Sequence, residues 1–351
     1  MRRCGFVADD LSPGFCAALR SAFLSAEYHA DGVLDLLGPA AHDALGRGEP
    51  EPARRASRHG GELGALVRLF LLGDAEPERT VRTALRPVIW EQALATGLVR
   101  ADGDTVRAGL DVRPYAESTP SSGARGTGTV PAPGSDGGAT GSWWVFADRD
   151  DPREGPTTDA PAGTGGDRLA RDHVLGIGHA SVSLARATIR RPVGTLLDLG
   201  TGCGVQALHA TRHAARVTAT DVSPRALAFA RATFRINELD VETACGPWFD
   251  PVAGRRFDQV VSNPPFVVGP PSVDYVYRDS GLGGDEASAS LVRRLPSMLA
   301  EGGVGQLLAS WLHRSGEDWV SRVASWVGNS GVDAWFVQRD VADPALYVGT
   351  W

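Results

Sequence analysis

The chain has 351 residues, a formal net charge of −7 at pH 7 and a pI near 5.6, enough length for two domains that each bury a core. An acidic balance excludes capture of nucleic acid by bulk positive charge, leaving only a local basic groove for that purpose. All 35 basic residues are arginine, so Schiff-base catalysis and Walker-type phosphate loops, which need a lysine, are excluded as well.

Cys4, Cys16, Cys203 and Cys245 form no CxxC pair and lie far apart, which argues against a disulfide framework or a zinc cage and fits a reducing compartment. No apolar run approaches the roughly 18 residues of a membrane span, and MRRCGFVADD is not a secretory signal. A soluble cytoplasmic protein without a membrane partner is expected.

From Pro13 to about Thr96 apolar residues return at three and four positions, predicting short amphipathic helices in FCAALRSAFLSAEY, GVLDLLG, GELGALVRLFLLGD and PVIWEQALATG. LVRADGDTVRAGLDVRPY then reads as two strands turning at Asp102 and Gly103. Helices followed by a hairpin predict a winged-helix-like domain over 1–150. Residues 117–142 are Gly, Pro, Ser and Thr with almost no apolar side chain, and read as a disordered insertion. WWVFAD (143–148) reads as a strand able to pair with the hairpin. A second soft stretch ending at Asp167 makes 151–167 the linker.

Beyond it, over 168–351, strands and helices alternate: TLLDLG, VQALHATRHA, RVTATD, SPRALAFARATFRIN, VETAC, FDQVVSNPP, DEASASLVRRLPSMLA and GVGQLLAS. That order predicts a Rossmann-like, doubly wound α/β domain with a parallel sheet covered on both faces. The first of these strands ends in Asp198-Leu-Gly200-Thr-Gly202-Cys-Gly204 and runs into a helix, placing glycine backbone and helix-start amides where a ligand can approach. The third glycine comes one place too early for the dinucleotide fingerprint, with Val205 in the expected position, which counts against NAD. The second strand ends at Asp221, whose carboxylate can accept from both ribose hydroxyls, since Ser223-Pro224 suits the following helix cap better.

DLGTGCG, TATD and SNPPF, at the ends of the first, second and fourth of these strands, resemble the class I S-adenosylmethionine-dependent methyltransferases, in the NPP(Y/F) group of "methyltransferase small" domains. The resemblance covers about half the chain. It implies S-adenosyl-L-methionine as methyl donor, with Gly200, Gly202 and Gly204 beneath its methionine part, Asp198 near its amino group and sulfonium, and Asp221 on the ribose. Pro247 stands where the family often has an acidic or small polar residue facing the adenine, so Trp248 or Phe249 is expected to pack on that ring instead.

The acceptor motif is Asn263-Pro264-Pro265-Phe266. An amide or aromatic amine has a delocalised lone pair and is a poor nucleophile. Accepting its two N–H hydrogens on the Asn263 side-chain oxygen and the Pro264 carbonyl orients the nitrogen toward the methyl group, while Phe266 stacks on the planar group. By resemblance the substrate is macromolecular: the glutamine amide of a translation protein such as a release factor, or a base amine in ribosomal RNA. The alternative is a degenerate, non-catalytic scaffold, raised by Pro247 and by the abrupt end of the chain.

The segment DHVLGIGHAS (172–181) sits where related enzymes shape the pocket, and reads equally as a helix kinked at Gly176 and Gly178. His209 and His213 have zinc-ligand spacing but no third ligand or intervening glutamate, so no metal is expected and a solvated helix face is the preferred reading. Arg54, Arg55 and Arg58, and Arg186, Arg190 and Arg191, are read mainly as exposed helix arginines rather than phosphate ligands. At the end, VDAWFVQRD is expected as a sixth strand. VADPALYVGTW looks like the start of another element, suggesting a truncated chain with an exposed sheet edge.

Overall fold

The computed structural model describes residues 11–116, 142–149 and 169–350. All but Ser142 of the expected disordered insertion, and the whole of the expected linker, lie outside the described residues. The chain forms two compact units, Met1–Asp151 with Arg235–Glu238, and Pro152–Phe234 with Leu239–Trp351.

In the first unit, α1 (Pro13–Ser25) starts where Ser12 accepts from the amide of Phe15 and Pro13 fills the first turn. Next comes α2 (Ala30–Gly46), which breaks at Gly38-Pro39 because Pro39 cannot continue the ladder and Gly38 takes a φ of +71°. After α3 (Glu51–Ser57), α4 (Gly61–Leu66) runs on into a π turn over Val67–Leu72. There follow β1 (Glu76–Pro77), α5 (Glu78–Ala84), α6 (Trp90–Ala95), β2 (Val99–Asp102) and β3 (Thr105–Ala108). The three strands form a sheet of order β1-β3-β2.

One expectation is corrected here: the stretch read as one hairpin holds a third strand, β4 (Asp111–Ala116), and it is with this end of the stretch that β5 (Ser142–Ala147) pairs antiparallel, from Asp111↔Ala147 to Ala116↔Ser142. The chain leaves the hairpin at Gly109, whose amide bonds to the Leu98 carbonyl and where a Cβ would lie 2.0 Å from the Gly97 oxygen. Phe23, Tyr28, Phe70 and Trp144 form the aromatic centre of this core. Its polar tips are paired: the Tyr28 hydroxyl donates to the Val112 carbonyl at 2.7 Å, and Trp144 Nε1 donates to the Tyr28 carbonyl at 2.6 Å.

The second unit contains α7 (His179–Ala187), β6 (Val193–Leu199), α8 (Val205–Ala210), β7 (Ala214–Asp221), α9 (Pro224–Ile236), β8 (Glu242–Cys245), β9 (Phe257–Ser262), α10 (Glu286–Met298), β10 (Leu299–Leu307), α11 (Trp319–Ala324) and α12 (Pro344–Thr350). Every pairing in the sheet is parallel and the order is β10-β9-β6-β7-β8. Sequence order therefore reverses at β6, the switch point at which such sheets open a crevice beyond their carboxyl ends. Leu197 and Leu199 of β6, Phe257 and Val260 of β9, and Leu291 and Met298 of α10 share one core cluster.

Residues 169–178 have no helix, so the kinked-helix reading of 172–181 is corrected: α7 begins after Gly178. VDAWFVQRD forms no strand. Val332 and Phe336, four apart, pack down on the two core clusters, which leaves Trp335 93 % and Val337 77 % exposed without a neighbouring strand. Among the described residues the sheet ends at β10, and the stretch after Val341 turns into α12.

Candidate active site

Register brings the candidate residues together. Leu199 pairs with Thr220 on one side and Ser262 on the other, so the next residue along each chain, Gly200, Asp221 and Asn263, stands at one level at the carboxyl edge of the sheet. The Ser262 hydroxyl locks this edge by donating to the Leu199 carbonyl at 2.8 Å.

The three glycines of the loop all have positive φ, +75° at Gly200, +55° at Gly202 and +94° at Gly204. A Cβ on Gly200 or Gly202 would meet nothing within 4 Å, so these two backbones border open space. At Gly204 a Cβ would lie 2.8 Å from the Phe234 ring of α9, so this glycine serves helix packing instead. The amides of Gly200 and Thr201 both donate to the Thr220 carbonyl, binding the loop to the end of β7.

Asp198 is fully buried behind that loop. Its Oδ2 accepts from the Thr201 hydroxyl at 2.6 Å and from the Ala207 amide at 3.0 Å, while Oδ1 has no partner. Burial raises its carboxyl to about 7 against these hydrogen bonds. Through Oδ2, Asp198 ties the glycine turn to α8. Asp221 is half-buried at the crevice, accepting from the Gly202 amide on Oδ2 and the Ser223 amide on Oδ1, each at 2.9 Å. Burial moves its carboxyl upward, opposed by these amides. Ser223 caps α9 by accepting from the Ala226 amide, so Asp221 is not the helix cap.

Asn263 is half-buried, and its Nδ2 donates to the hydroxyl of Ser181 in the first turn of α7 at 3.2 Å. The Ser181 carbonyl in turn accepts from Nε2 of the buried Gln206 in α8 at 2.8 Å. Pro264 is buried, Pro265 and Phe266 half-buried, and two residues on the Val268 amide donates to the Tyr347 hydroxyl of α12 at 2.8 Å. Sequence reasoning placed 172–181 at the pocket but missed Ser181 and Gln206, since nothing in a lone serine 82 residues from Asn263 signals a contact.

The aromatic pair after β8 packs against the core. Phe249 is 2 % exposed in the core cluster of Leu197, Val252 and Phe257, with the Arg294 guanidinium 5.2 Å from its ring centre. Trp248, at a φ of +48°, packs against the same cluster. The exposed side chain beside Asp221 is Val222. His209 is buried, not solvated, and burial together with Arg190 lowers it to about 4. Nε2 of His213 faces Gln259 Oε1 at 3.0 Å. Among the described residues no three His, Cys, Asp or Glu side chains gather as metal ligands. Arg54 is engaged by Asp74 and Glu51, Arg190 by the Ala185 carbonyl and Arg191 by the Gly302 carbonyl.

Residues 176–279 match the methyltransferase small domain family, and residues 25–109 match a domain of unknown function (DUF7059). The second unit thus holds the segment that matches the methyltransferase small domain, on a Rossmann-like parallel sheet. Over 173 residues the chain is 32 % identical to the release factor glutamine methyltransferase of Koribacter versatilis, covering 44 % of this chain and 59 % of the relative. Over 75 residues it is 41 % identical to the ribosomal RNA small subunit methyltransferase C of Salmonella arizonae, covering 21 % of this chain and 22 % of that relative. The chain therefore spans under two thirds of the length of either relative. Among solved structures, a methyltransferase from Pyrococcus furiosus is 22 % identical with a TM-score of 0.37, covering 50 % of this chain and 83 % of its own.

Proposed function

We propose that this chain is an S-adenosylmethionine-dependent N-methyltransferase acting in the cytoplasm on a planar nitrogen of a macromolecule, a protein glutamine amide or a base amine in ribosomal RNA. The observation that carries the reading is the alignment of Gly200, Asp221 and Asn263 at one level of the switch point, with Asn263 Nδ2 engaged and its Oδ1 without a donor among the described residues. The local match to the methyltransferase small domain supports it.

The residues present fit the cofactor. Open space over Gly200 and Gly202 admits its methionine part, Gly204 belongs to the packing beneath, and Asp221 retains lone pairs for the ribose hydroxyls. Asp198 holds the loop from behind. With Phe249 in the core and Trp248 packed on it, we assign the adenine face to Val222, 52 % exposed. S-adenosylmethionine supplies a methyl group already activated by its sulfonium. Everything else falls to orientation: Asn263 Oδ1 and the Pro264 carbonyl accept the acceptor N–H hydrogens and favour the positive charge developing on that nitrogen, while Phe266 fixes its plane. No general base is required before the bond forms. Pro247, which raised the scaffold alternative, is exposed, and the amide of its neighbour Gly246 still donates to the Asp221 carbonyl.

The test supplies the purified chain with S-adenosyl-[methyl-³H]methionine and, separately, ribosomal subunits and purified release factor. Label is expected in one of them with the wild-type chain and absent with Asn263→Ala, which should bind the cofactor normally. Undiminished transfer by Asn263→Ala would refute its role, and failure of calorimetry to detect cofactor binding would refute the reading as a whole.

A further inference from the structure

We propose that Ser181 is a positioning residue for the transfer step: its hydroxyl anchors Nδ2 of Asn263 while Oδ1 meets the acceptor nitrogen. This rests on the reading of Asn263 given above and adds a cause for its placement. A primary amide has one accepting and one donating end of nearly equal size, and rotating it by half a turn exchanges them. An asparagine that presents Nδ2 to an incoming N–H group offers a donor to a donor, and the acceptor nitrogen is pushed away. A serine hydroxyl can accept from Nδ2 or donate to Oδ1; the N–H groups of the acceptor draw Oδ1 toward themselves, and a partner that then accepts from Nδ2 must hold the other end of the amide in place.

Ser181 is placed for that duty and is not spent elsewhere on its helix. It is the third residue of α7, whose N-cap is Gly178, so its hydroxyl does not cap the helix. Its oxygen lies 3.2 Å from Asn263 Nδ2. Its own backbone is fixed as well, because the Ser181 carbonyl accepts from Gln206 Nε2 at 2.8 Å. Gln206 is the second residue of the helix that follows the glycine loop, and it is 6 % exposed. One continuous set of contacts thus runs from α8, through Ser181, to Asn263. The loop that would carry the methyl donor and the amide that would orient the acceptor are referenced to the same serine.

The chain contains three asparagines, Asn237, Asn263 and Asn329, which makes the amide directly observable. Full-length protein labelled with ¹⁵N-asparagine should show three side-chain NH₂ pairs, the Asn263 pair being the one missing in Asn263→Ala. In Ser181→Ala that pair is expected to shift while the other two stay in place, and in Ser181→Thr, which restores a hydroxyl, it is expected to return toward the wild-type position. With tritiated S-adenosylmethionine and whichever of ribosomal subunits or release factor takes label, Ser181→Ala should lower kcat by roughly tenfold to a hundredfold, as displacement of a reacting group does. Cofactor affinity should stay within about twofold, and Ser181→Thr should recover most of the rate. An Asn263 pair unmoved by Ser181→Ala overturns the proposal. So does a loss of rate in Ser181→Ala that matches a loss of cofactor affinity. Should the wild-type chain label neither acceptor, the proposed activity fails on its own, and the amide spectrum still decides whether Ser181 orients Asn263.

Discussion

The carboxylate of Asp221, at the end of β7, accepts a hydrogen bond from the amide of Gly202, in the middle of the loop that follows β6, at 2.9 Å. The residue assigned to the ribose thus also shapes the loop assigned to the methionine part. Asp221→Ala should then remove more than one contact. The expected loss is about 1.5 to 3 kcal/mol of S-adenosylmethionine affinity, the scale of a charged hydrogen bond, or roughly 10- to 150-fold in Kd. Calorimetric titration checks it, and an unchanged Kd would remove Asp221 from the site.

Gly202 and Gly204 are two residues apart, have positive φ alike, and should fail differently when replaced by alanine. At Gly202 the new methyl group enters open space on the crevice side, so strain of order 1 kcal/mol accompanies an obstruction of the ligand face. At Gly204 it meets the Phe234 ring at 2.8 Å, and overpacking adds about 1 to 3 kcal/mol of destabilisation. Gly202→Ala should therefore weaken cofactor binding more than it lowers Tm, and Gly204→Ala should lower Tm more. A pair of variants with equal losses in both measurements would show that the two glycines share one role.

Phe249 and Val222 provide the matching contrast on the adenine side. Phe249→Ala removes a ring that is 2 % exposed in the core, and should cost about 3 to 5 kcal/mol of stability. Phe249→Leu, which keeps most of the apolar volume, should restore folding and leave cofactor affinity near the wild-type value. Val222→Asp places a charge beside Asp221 on the exposed face and should weaken binding with little change in Tm. Weak cofactor binding by a well-folded Phe249→Leu would return the ring to the site.

What the sequence made legible was the central strands and what stands at their ends. In β6, β7 and β9 a buried parallel strand is largely an apolar run, and the polar residues that interrupt it in DLG, TATD and SNPP mark its carboxyl end and the crevice together. What stayed hidden depended on distant partners. VDAWFVQRD has a strand-like composition, but a strand exists only where another pairs with it, and Val332 and Phe336 found cores instead. In WWVFAD the strand and its pairing with the preceding stretch were visible, while the separation of its partner, Asp111–Ala116, from the hairpin was not. Which of Trp248 and Phe249 faced inward hung on a left-handed residue, Trp248, that local preference does not favour. Ser181 was invisible because only the folded sheet brings it to Asn263.

Two buried groups of the second unit should oppose each other in the pH dependence of stability. Asp198 has its carboxyl raised from an ordinary 3.8 to about 7, so between those values the folded state holds a proton that the unfolded state has released. Stability from this group is greatest at low pH and falls as pH rises toward 7, by up to about 4 kcal/mol. His209 has its imidazole lowered from 6.5 to about 4, so between those values the unfolded state holds a proton that the folded state excludes. Its contribution is present above 6.5 and is lost as pH falls toward 4, by up to about 3 kcal/mol. The windows overlap and the slopes have opposite signs, so the two groups together should give the wild type a shallow dependence between pH 4 and 6.5. Asp198→Asn should unmask a rise in stability with pH over that range, and His209→Gln a fall. Hydrogen exchange of the β6 amides under urea, corrected for intrinsic rates, reads this unit by itself. Taking each variant as a difference from wild type cancels the remaining carboxylates. Difference profiles that are flat, or that slope the same way, would show that Asp198 and His209 do not carry their proton balance between the folded and unfolded states.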